Sequence, residues 1–375
     1  MEHTLGSSAA ESVSGAVDEA CRAFPDRPEL ILFFSDGARF PAFSEELHRR
    51  YPLTAVVGVS TYASFSPEGM CRRGLNAAAL TGGFLASAGL IREITRAPGM
   101  IYGAAVRNAL DALPPSSAAN TCCILLNPAG TAGEEAVLDT LEAALGGTDI
   151  PVFGGSASSE VCARGSVSLN GGVYQSSSVF VLLHLKSGRF RITQENIFRP
   201  MGKTFRVTRA DFARRTLYEL DGRPAAEVLC EALGVTRESL PAALAEHPFG
   251  RLLDGRLLIN EMERVNSDGS VTAYCRFYED STVSLLEPGD YPDTMAKTIG
   301  RLRADMPHPA LTVAVNCYSR TQMYLKNGWM DAFIRDMAAG LGDYLGFTSH
   351  GEQTRRYQTN LTLLLLSFEE PPSAV

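Results

Sequence analysis

One order of apolar and polar positions recurs three times along the chain. From Glu29 to Ser60 a continuous apolar run, "ELILFFSD", gives way to a polar stretch in which Phe43 and Leu47 share a helical face. A second apolar run, "LTAVVGVST", closes on Gly58-Val59-Ser60. From Thr121 to Ser156 the order returns as "TCCILLNP", then a helical stretch carrying Leu138, Leu141 and Leu145, then "DIPVFGGSA" ending in Gly154-Gly155-Ser156. The third copy spans Ala310 to Ser349: "ALTVAVNCYSR", a helix with Met330, Phe333, Ile334 and Met337 at i, i+3, i+4, i+7 spacing, and "DYLGFTS" ending in Gly346-Phe347-Thr348. Continuous apolar runs bounded by turn residues predict strands buried on both faces, and the 3.6-residue spacing predicts helices between them. Each copy therefore reads as a strand–helix–strand unit.

Local signals set the ends. Thr131 and Glu134 fit a capping box, and Gly146 and Gly340 are placed to stop helices. Val13, Val17, Cys21 and Phe24 form an amphipathic stripe on a first helix, with Met1–Ala9 and Pro371–Val375 expected to be loose. Between the copies, Ser267-Asp268-Gly269 joins alternating apolar runs and predicts a hairpin. "LDGRPAAEVLCEALG" predicts a helix entered at Pro224 and stopped by Gly234. The resulting fold class is α/β: two related domains of mixed β-sheets covered by helices. Residues 1–27 are an N-terminal tail and helix, 28–200 a first domain, 201–370 a second and 371–375 a tail. At 375 residues, two domains are the default.

Composition narrows the partners. Lys+Arg 34 against Asp+Glu 42 gives a net charge of −8, without a basic run, which disfavours nucleic acid and anionic membrane. No apolar run reaches the length of a membrane span or a signal peptide, and the mean hydropathy is −0.01. The eight cysteines include no C-x-x-C pair, so a reduced, cytoplasmic protein with cysteines filling its core is expected, with no metal and no cofactor. Cys122-Cys123 reads as strand filling, its side chains on opposite faces. "NPAGTAGEE" resembles a phosphate-cradling turn but lacks the Gly-Lys-Ser/Thr of a P-loop. Trp329 reads as core.

Glycine at each strand end admits a close backbone approach or a positive φ, and the hydroxyl two residues on offers a donor and an acceptor. Around these ends the chain resembles the FIST family (F-box and intracellular signal transduction proteins), from about Glu29 to Phe368. "FRPMGKTFRVTRA" and "LYELDGRPAAEVL" look like the start of the family's C-terminal domain, and "CYSR", "GFTSHGEQ" and "YQTNLTLLLL" are similar to its closing motifs. "VVGVST" and "PVFGGSAS" resemble strand ends of the N-terminal domain, although each lacks the Gly-Glu or Gly-Asp usual after the serine. The resemblance implies a sensory, signal-transducing module that binds a small polar metabolite, with amino acids proposed. With family-like segments filling the chain, it is expected to act through a separate protein partner.

The residues carrying that expectation are Ser60, Ser156, Cys317, Arg320, His350, Gly351, Glu352 and Asn360. Arg320 and Glu352, read as lying on adjacent strand ends, suit the carboxylate and ammonium of a zwitterion, or else bridge one another. The competing chemistry is a thiol hydrolase or transferase, with Cys317 as nucleophile and His350 as base.

Overall fold

The chain starts with β1 (Glu2–Ser8), α1 (Val13–Ala20), β2 (Leu30–Ser35), α2 (Phe40–Arg50) and β3 (Ala55–Ser60), then a short hairpin, β4 (Ser64–Ser66) with β5 (Gly69–Cys71), and β6 (Leu75–Thr81). The same succession follows at once: β7 (Phe84–Ile91), α3 (Gly99–Asp111), β8 (Thr121–Asn127), α4 (Glu134–Leu145), β9 (Val152–Ser156), the hairpin β10 (Val167–Leu169) with β11 (Gly172–Tyr174), and β12 (Ser178–Leu185). A third copy opens with β13 (Arg189–Asn196) and is then interrupted.

The interrupting segment runs through β14 (Phe198–Asp211), β15 (Thr216–Leu220), β16 (Arg223–Pro224), α5 (Ala225–Leu233), α6 (Leu240–Glu246), β17 (Phe249–Leu253), β18 (Arg256–Asn260), β19 (Met262–Val265), β20 (Val271–Ala273) and β21 (Thr282–Pro288). The third copy then resumes with α7 (Tyr291–Asp305), β22 (Leu311–Cys317), α8 (Tyr318–Lys326), α9 (Met330–Leu341), β23 (Tyr344–Ser349), the hairpin β24 (Glu352–Thr354) with β25 (Tyr357–Thr359), and β26 (Thr362–Glu369).

In this computed structural model, which describes residues 1–94, 99–159, 165–253 and 255–370, contacts divide the chain into two units. Cys162 and residues 371–375 lie outside the described residues. The first unit takes Met1–Gln194, Ala296–Tyr357 and Leu363–Val375, and so collects all three copies. The second takes Glu195–Met295 with Gln358–Thr362. Its strands form an eight-stranded sheet in the order β18-β17-β21-β14-β15-β20-β19, with β16 on β15. Val207, Leu220, Leu229, Leu285 and Phe249 lie in its core.

Each copy in the first unit builds one six-stranded sheet around a parallel pair: β2 with β3, β8 with β9, β22 with β23. The hairpins are exchanged in a cycle. β4–β5 of the first copy pairs with β23, β10–β11 of the second with β3, and β24–β25 of the third with β9. The strand after each hairpin returns to its own sheet, as β6 on β2, β12 on β8 and β26 on β22.

One face of all three sheets meets in a single core. Leu30, Leu32 and Phe34 join Ile124, Leu126, Val313, Val315 and Phe347, with the Phe34 and Phe347 ring centres 4.7 Å apart. The other faces are covered by helices: Ile31 and Phe33 by Phe43 and Leu47 of α2, Cys123 and Leu125 by Leu138 and Leu141 of α4. Strands covered on both faces have no solvent face to make polar, which is why the runs are continuously apolar. Cys122 faces the shared core and Cys123 the helices, both as free thiols, as the alternation of strand side chains requires.

Several local expectations change. Residues Glu2–Ser8 form β1, paired along its whole length with β6. α4 begins at Glu134 with Gly133 as its cap, so the Thr131–Glu134 capping box does not form. Gly147 takes the left-handed conformation after α4 (φ 76) where Gly146 was expected to. Gly340 lies inside α9, packed on Ile299, and Gly342 (φ 71) ends that helix. Pro224 caps α5 from just outside it. Gly234 and the Ser267–Gly269 turn behave as read, with φ of 69 and 88 at their glycines. Trp329 is half-buried, its ring centre 6.0 Å from that of Tyr324.

Candidate functional site

The carboxyl ends of the three parallel pairs are stitched to one another by the chain that leaves them. Ser60 N–H donates to the Ser166 carbonyl at 2.9 Å, Ser156 N–H to that of Gly351 at 2.9 Å, and Thr348 N–H to that of Ala63 at 2.9 Å. Each strand end thus bonds the segment entering from a different copy. The carbonyls at the same positions close the ring. Ser60 accepts from Ser158 N–H at 3.0 Å, and Ser156 from His350 N–H at 3.0 Å. The Thr348 carbonyl takes hydroxyls, from Thr61 at 2.9 Å and from Ser158. Side chains continue the network: Ser60 Oγ accepts from Ser166 N–H at 2.8 Å, and Ser156 Oγ from Gln353 Nε2 at 3.1 Å.

The glycines of the three Gly-x-Ser/Thr motifs serve close approach and not positive φ. A Cβ on Gly58 would fall 2.2 Å from the Phe33 ring, on Gly154 2.4 Å from the Leu125 carbonyl oxygen, and on Gly346 2.1 Å from the Phe65 ring.

Of the residues expected to meet a ligand, Ser60, Ser156 and Gly351 belong to this network. Gly351 itself has a φ of 121. Cys317 ends β22 and is buried. Arg320 is not at a strand end. The chain turns into α8 immediately after Cys317, and Arg320 lies on the helix's buried face with Thr321 and Tyr324, its guanidinium 5.2 Å from the Tyr324 ring centre. Glu352 accepts from Ser349 Oγ at 2.5 Å. Arg320 and Glu352 are both 0% exposed, so they support the strand ends from within instead of presenting charge at an open edge. Asn360 belongs to the second unit, where its Oδ1 accepts from Cys275 Sγ at 3.1 Å and from Glu261 N–H at 3.3 Å.

Three rings stand in a row, Tyr62 buried and Tyr318 and His350 half-buried. Tyr62 and Tyr318 pack edge to face with centres 5.1 Å apart, and Tyr318 lies 4.8 Å from the His350 imidazole. Exposed Arg72 places its guanidinium 4.5 Å from the Tyr62 ring centre. At the other end, burial holds the His350 pKa down at about 4, against a weaker upward pull from the Glu134 carboxylate at the start of α4. The imidazole is therefore neutral at pH 7, and its buried Nε2 has no hydrogen-bond partner among the described residues. Tyr62, Arg72 and Tyr318 escape the sequence reading, and Glu134 enters it only as a helix-capping residue. Tyr62 and Tyr318 each follow a repeat strand within two residues, the one regularity that marks them. Among the described residues no cluster of His, Cys, Asp and Glu is placed to hold a metal.

Family models match the chain as the FIST N domain over residues 29–223 and the FIST C domain over residues 225–355. The chain belongs to the FIST family. FIST domains are associated with sensory roles in signal transduction. No curated protein matches the chain. The boundary between the two FIST matches falls inside the second unit, whereas the first unit draws strand ends from both matched domains. No helix among the described residues is long and apolar enough to cross a membrane.

Proposed function

We propose that this FIST protein is a sensory module that binds a small polar metabolite, an amino acid in the first instance, along the Tyr62–Tyr318–His350 row. It passes the bound state to a separate signalling protein. The observation carrying this reading is that row, built where the carboxyl ends of three parallel strand pairs meet, the usual position of ligands in α/β sheets. An exposed guanidinium takes a carboxylate by paired hydrogen bonds, which assigns that end to Arg72. The adjoining ammonium lies against the Tyr318 ring, whose quadrupole attracts a cation. The side chain then points toward neutral His350 and Glu134. The strand-end network supports this reading by holding His350, whose N–H donates to the Ser156 carbonyl at 3.0 Å.

The test is a melting screen of the full chain against the free amino acids. A ligand at about a hundred times its dissociation constant stabilises the fold by roughly 2.7 kcal/mol. At least one amino acid should raise the melting temperature, and the double variant Arg72→Ala, Tyr318→Ala should lose that shift. Retention of every shift by the double variant overturns the reading.

A further inference from the structure

Among the described residues of the first unit, three six-stranded sheets present six edges, and five of them are protected. β5, β11 and β25 are three residues long. β1 carries Glu2 and His3, with His3 bonded to Asp343 at 2.9 Å. β13 carries Arg189, Arg191 and Glu195, with Arg189 paired to Glu369 and Arg191 to Asp305. Shortness and charge are the devices by which native sheets block further pairing. The sixth edge, β7, has neither. It is eight residues long, "FLASAGLI", with no charge, no proline and no break in its register with β12.

Among the described residues β7 is paired on the β12 side alone, and Leu85 to Leu90 are each half-buried. An edge strand turns the N–H and C=O of every second residue away from its own sheet, and a second strand satisfies such a row in register.

Side-chain size selects that strand. Phe84, Ala86, Ala88 and Leu90 face the shared core, and the alternate residues Leu85, Ser87, Gly89 and Ile91 face the side of α3. Opposed residues of an antiparallel pair lie on the same face, so in a two-fold pair one residue opposes its own copy. About Ser87 the core face reads Phe84, Ala86, Ala88, Leu90: large, small, small, large. Pairing there sets Phe84 against the partner's Leu90 and Ala86 against the partner's Ala88. Ser87 faces itself, and Leu85 covers the partner's Gly89. We propose that β7 pairs antiparallel with β7 of a second copy, joining two six-stranded sheets into one. The contact is isologous, and the short β25 at the sheet's other edge ends the assembly at two. It uses no residue of the ligand row and does not depend on it.

Sedimentation velocity and cross-linking of the full chain test this. The parent should sediment as a dimer at concentrations up to about 100 µM. Ser87→Lys sets like charges directly opposite each other and should be monomeric, as should Ser87→Asp, each with unchanged far-UV circular dichroism. Mixed in equal amounts, the two variants should recover the dimer, because opposite charges then meet across the axis. Directly opposed residues lie about 4.5–5.5 Å apart at Cα, within reach of a disulfide, so Ser87→Cys should cross-link two chains under mild oxidation. Leu85→Cys, held about 14 Å from its own copy, should not cross-link above the parent's background. The proposal is overturned by a parent that stays monomeric throughout, or by a Ser87→Lys variant that keeps the parent's dimer. Cross-linking of Leu85→Cys equal to that of Ser87→Cys overturns it as well.

Discussion

The Thr61 hydroxyl donates to the Thr348 carbonyl at 2.9 Å, across 287 positions of sequence, and accepts from Thr348 N–H at 3.1 Å. This reciprocal pair joins the first copy to the third at the one position where the ring of strand ends is closed by hydroxyls instead of backbone amides. Thr61→Val keeps the shape and removes both bonds, together with the hydroxyl's contacts to the Ala63 carbonyl at 2.8 Å and Ser158 Oγ at 3.3 Å. The Thr348 amide keeps Ala63 and its carbonyl keeps Ser158, so the loss is partial. A buried hydrogen bond removed in this way costs about 1–3 kcal/mol. Urea unfolding should show a lowered midpoint with an unchanged slope, and an unchanged midpoint would contradict the role given to Thr61. Because Thr61 and Ser158 share one acceptor, the double variant Thr61→Val, Ser158→Ala should cost more than the sum of the two single changes.

The strand-end glycines predict a graded series. At Gly58 and Gly346 an added methyl would meet the edge of a phenylalanine ring that is itself buried, and at Gly154 it would meet a backbone carbonyl at 2.4 Å. A ring can pivot slightly, whereas a paired strand cannot move one carbonyl alone. Gly58→Ala and Gly346→Ala should each cost about 1–3 kcal/mol, the usual range for overpacking. Gly154→Ala should cost more than either. Equal, small losses in denaturant midpoint at all three would mean that the glycines serve something other than close packing.

His350 makes stability depend on pH. Burial depresses its folded pKa to about 4, below the ordinary histidine value of 6.5. The unfolded chain therefore binds a proton between those values that the folded chain does not. Stability is greatest above pH 6.5, falls as pH falls toward 4, and gains no further penalty from this residue below that. The full effect is about 3.5 kcal/mol, from roughly 1.4 kcal/mol per pKa unit, of which about 3 kcal/mol falls between pH 7 and pH 4. His350→Gln removes the titration, so the difference in unfolding free energy between parent and variant should change by that amount from pH 7 to pH 4. A difference constant with pH would show that the imidazole titrates normally.

Much of the first unit is legible in the sequence because strands covered on both faces must be apolar throughout and their helices must keep one apolar stripe. Leu30–Ser35, Thr121–Asn127 and Leu311–Cys317 meet that demand, and α9 buries Met330, Phe333, Ile334 and Met337 as read. The hairpin exchange is not legible. β4, β10 and β24 are three residues long, and their pairing is set by which strand end lies within reach and not by their own composition. Strand β1, with Leu5 as its one large apolar residue, takes its conformation from pairing with β6. The site suffers similarly. Arg320 reads as a surface charge near a strand end, but α8 begins two residues earlier and turns it inward. Tyr62 and Tyr318 are brought side by side only by the exchange.

Arg320 and Arg72 separate structure from recognition. The Arg320 guanidinium is wholly buried over Tyr324, so Arg320→Ala removes packed volume and a buried charge together. Losses of this kind are on the order of 3 kcal/mol or more. Arg72 is exposed with its guanidinium 4.5 Å from the Tyr62 ring centre, and a cation–π contact at such a site is worth about 0.5–1 kcal/mol. Chemical unfolding should therefore show Arg320→Ala strongly destabilised and Arg72→Ala nearly as stable as the parent. Ligand response should run in the opposite order: Arg72→Ala should lose the melting shift given by an amino acid, and Arg320→Ala should keep a shift upward from its own lowered melting temperature. If Arg320→Ala abolishes binding while Arg72→Ala leaves it intact, the carboxylate is held from beneath the strand ends and the aromatic row is not the ligand's seat.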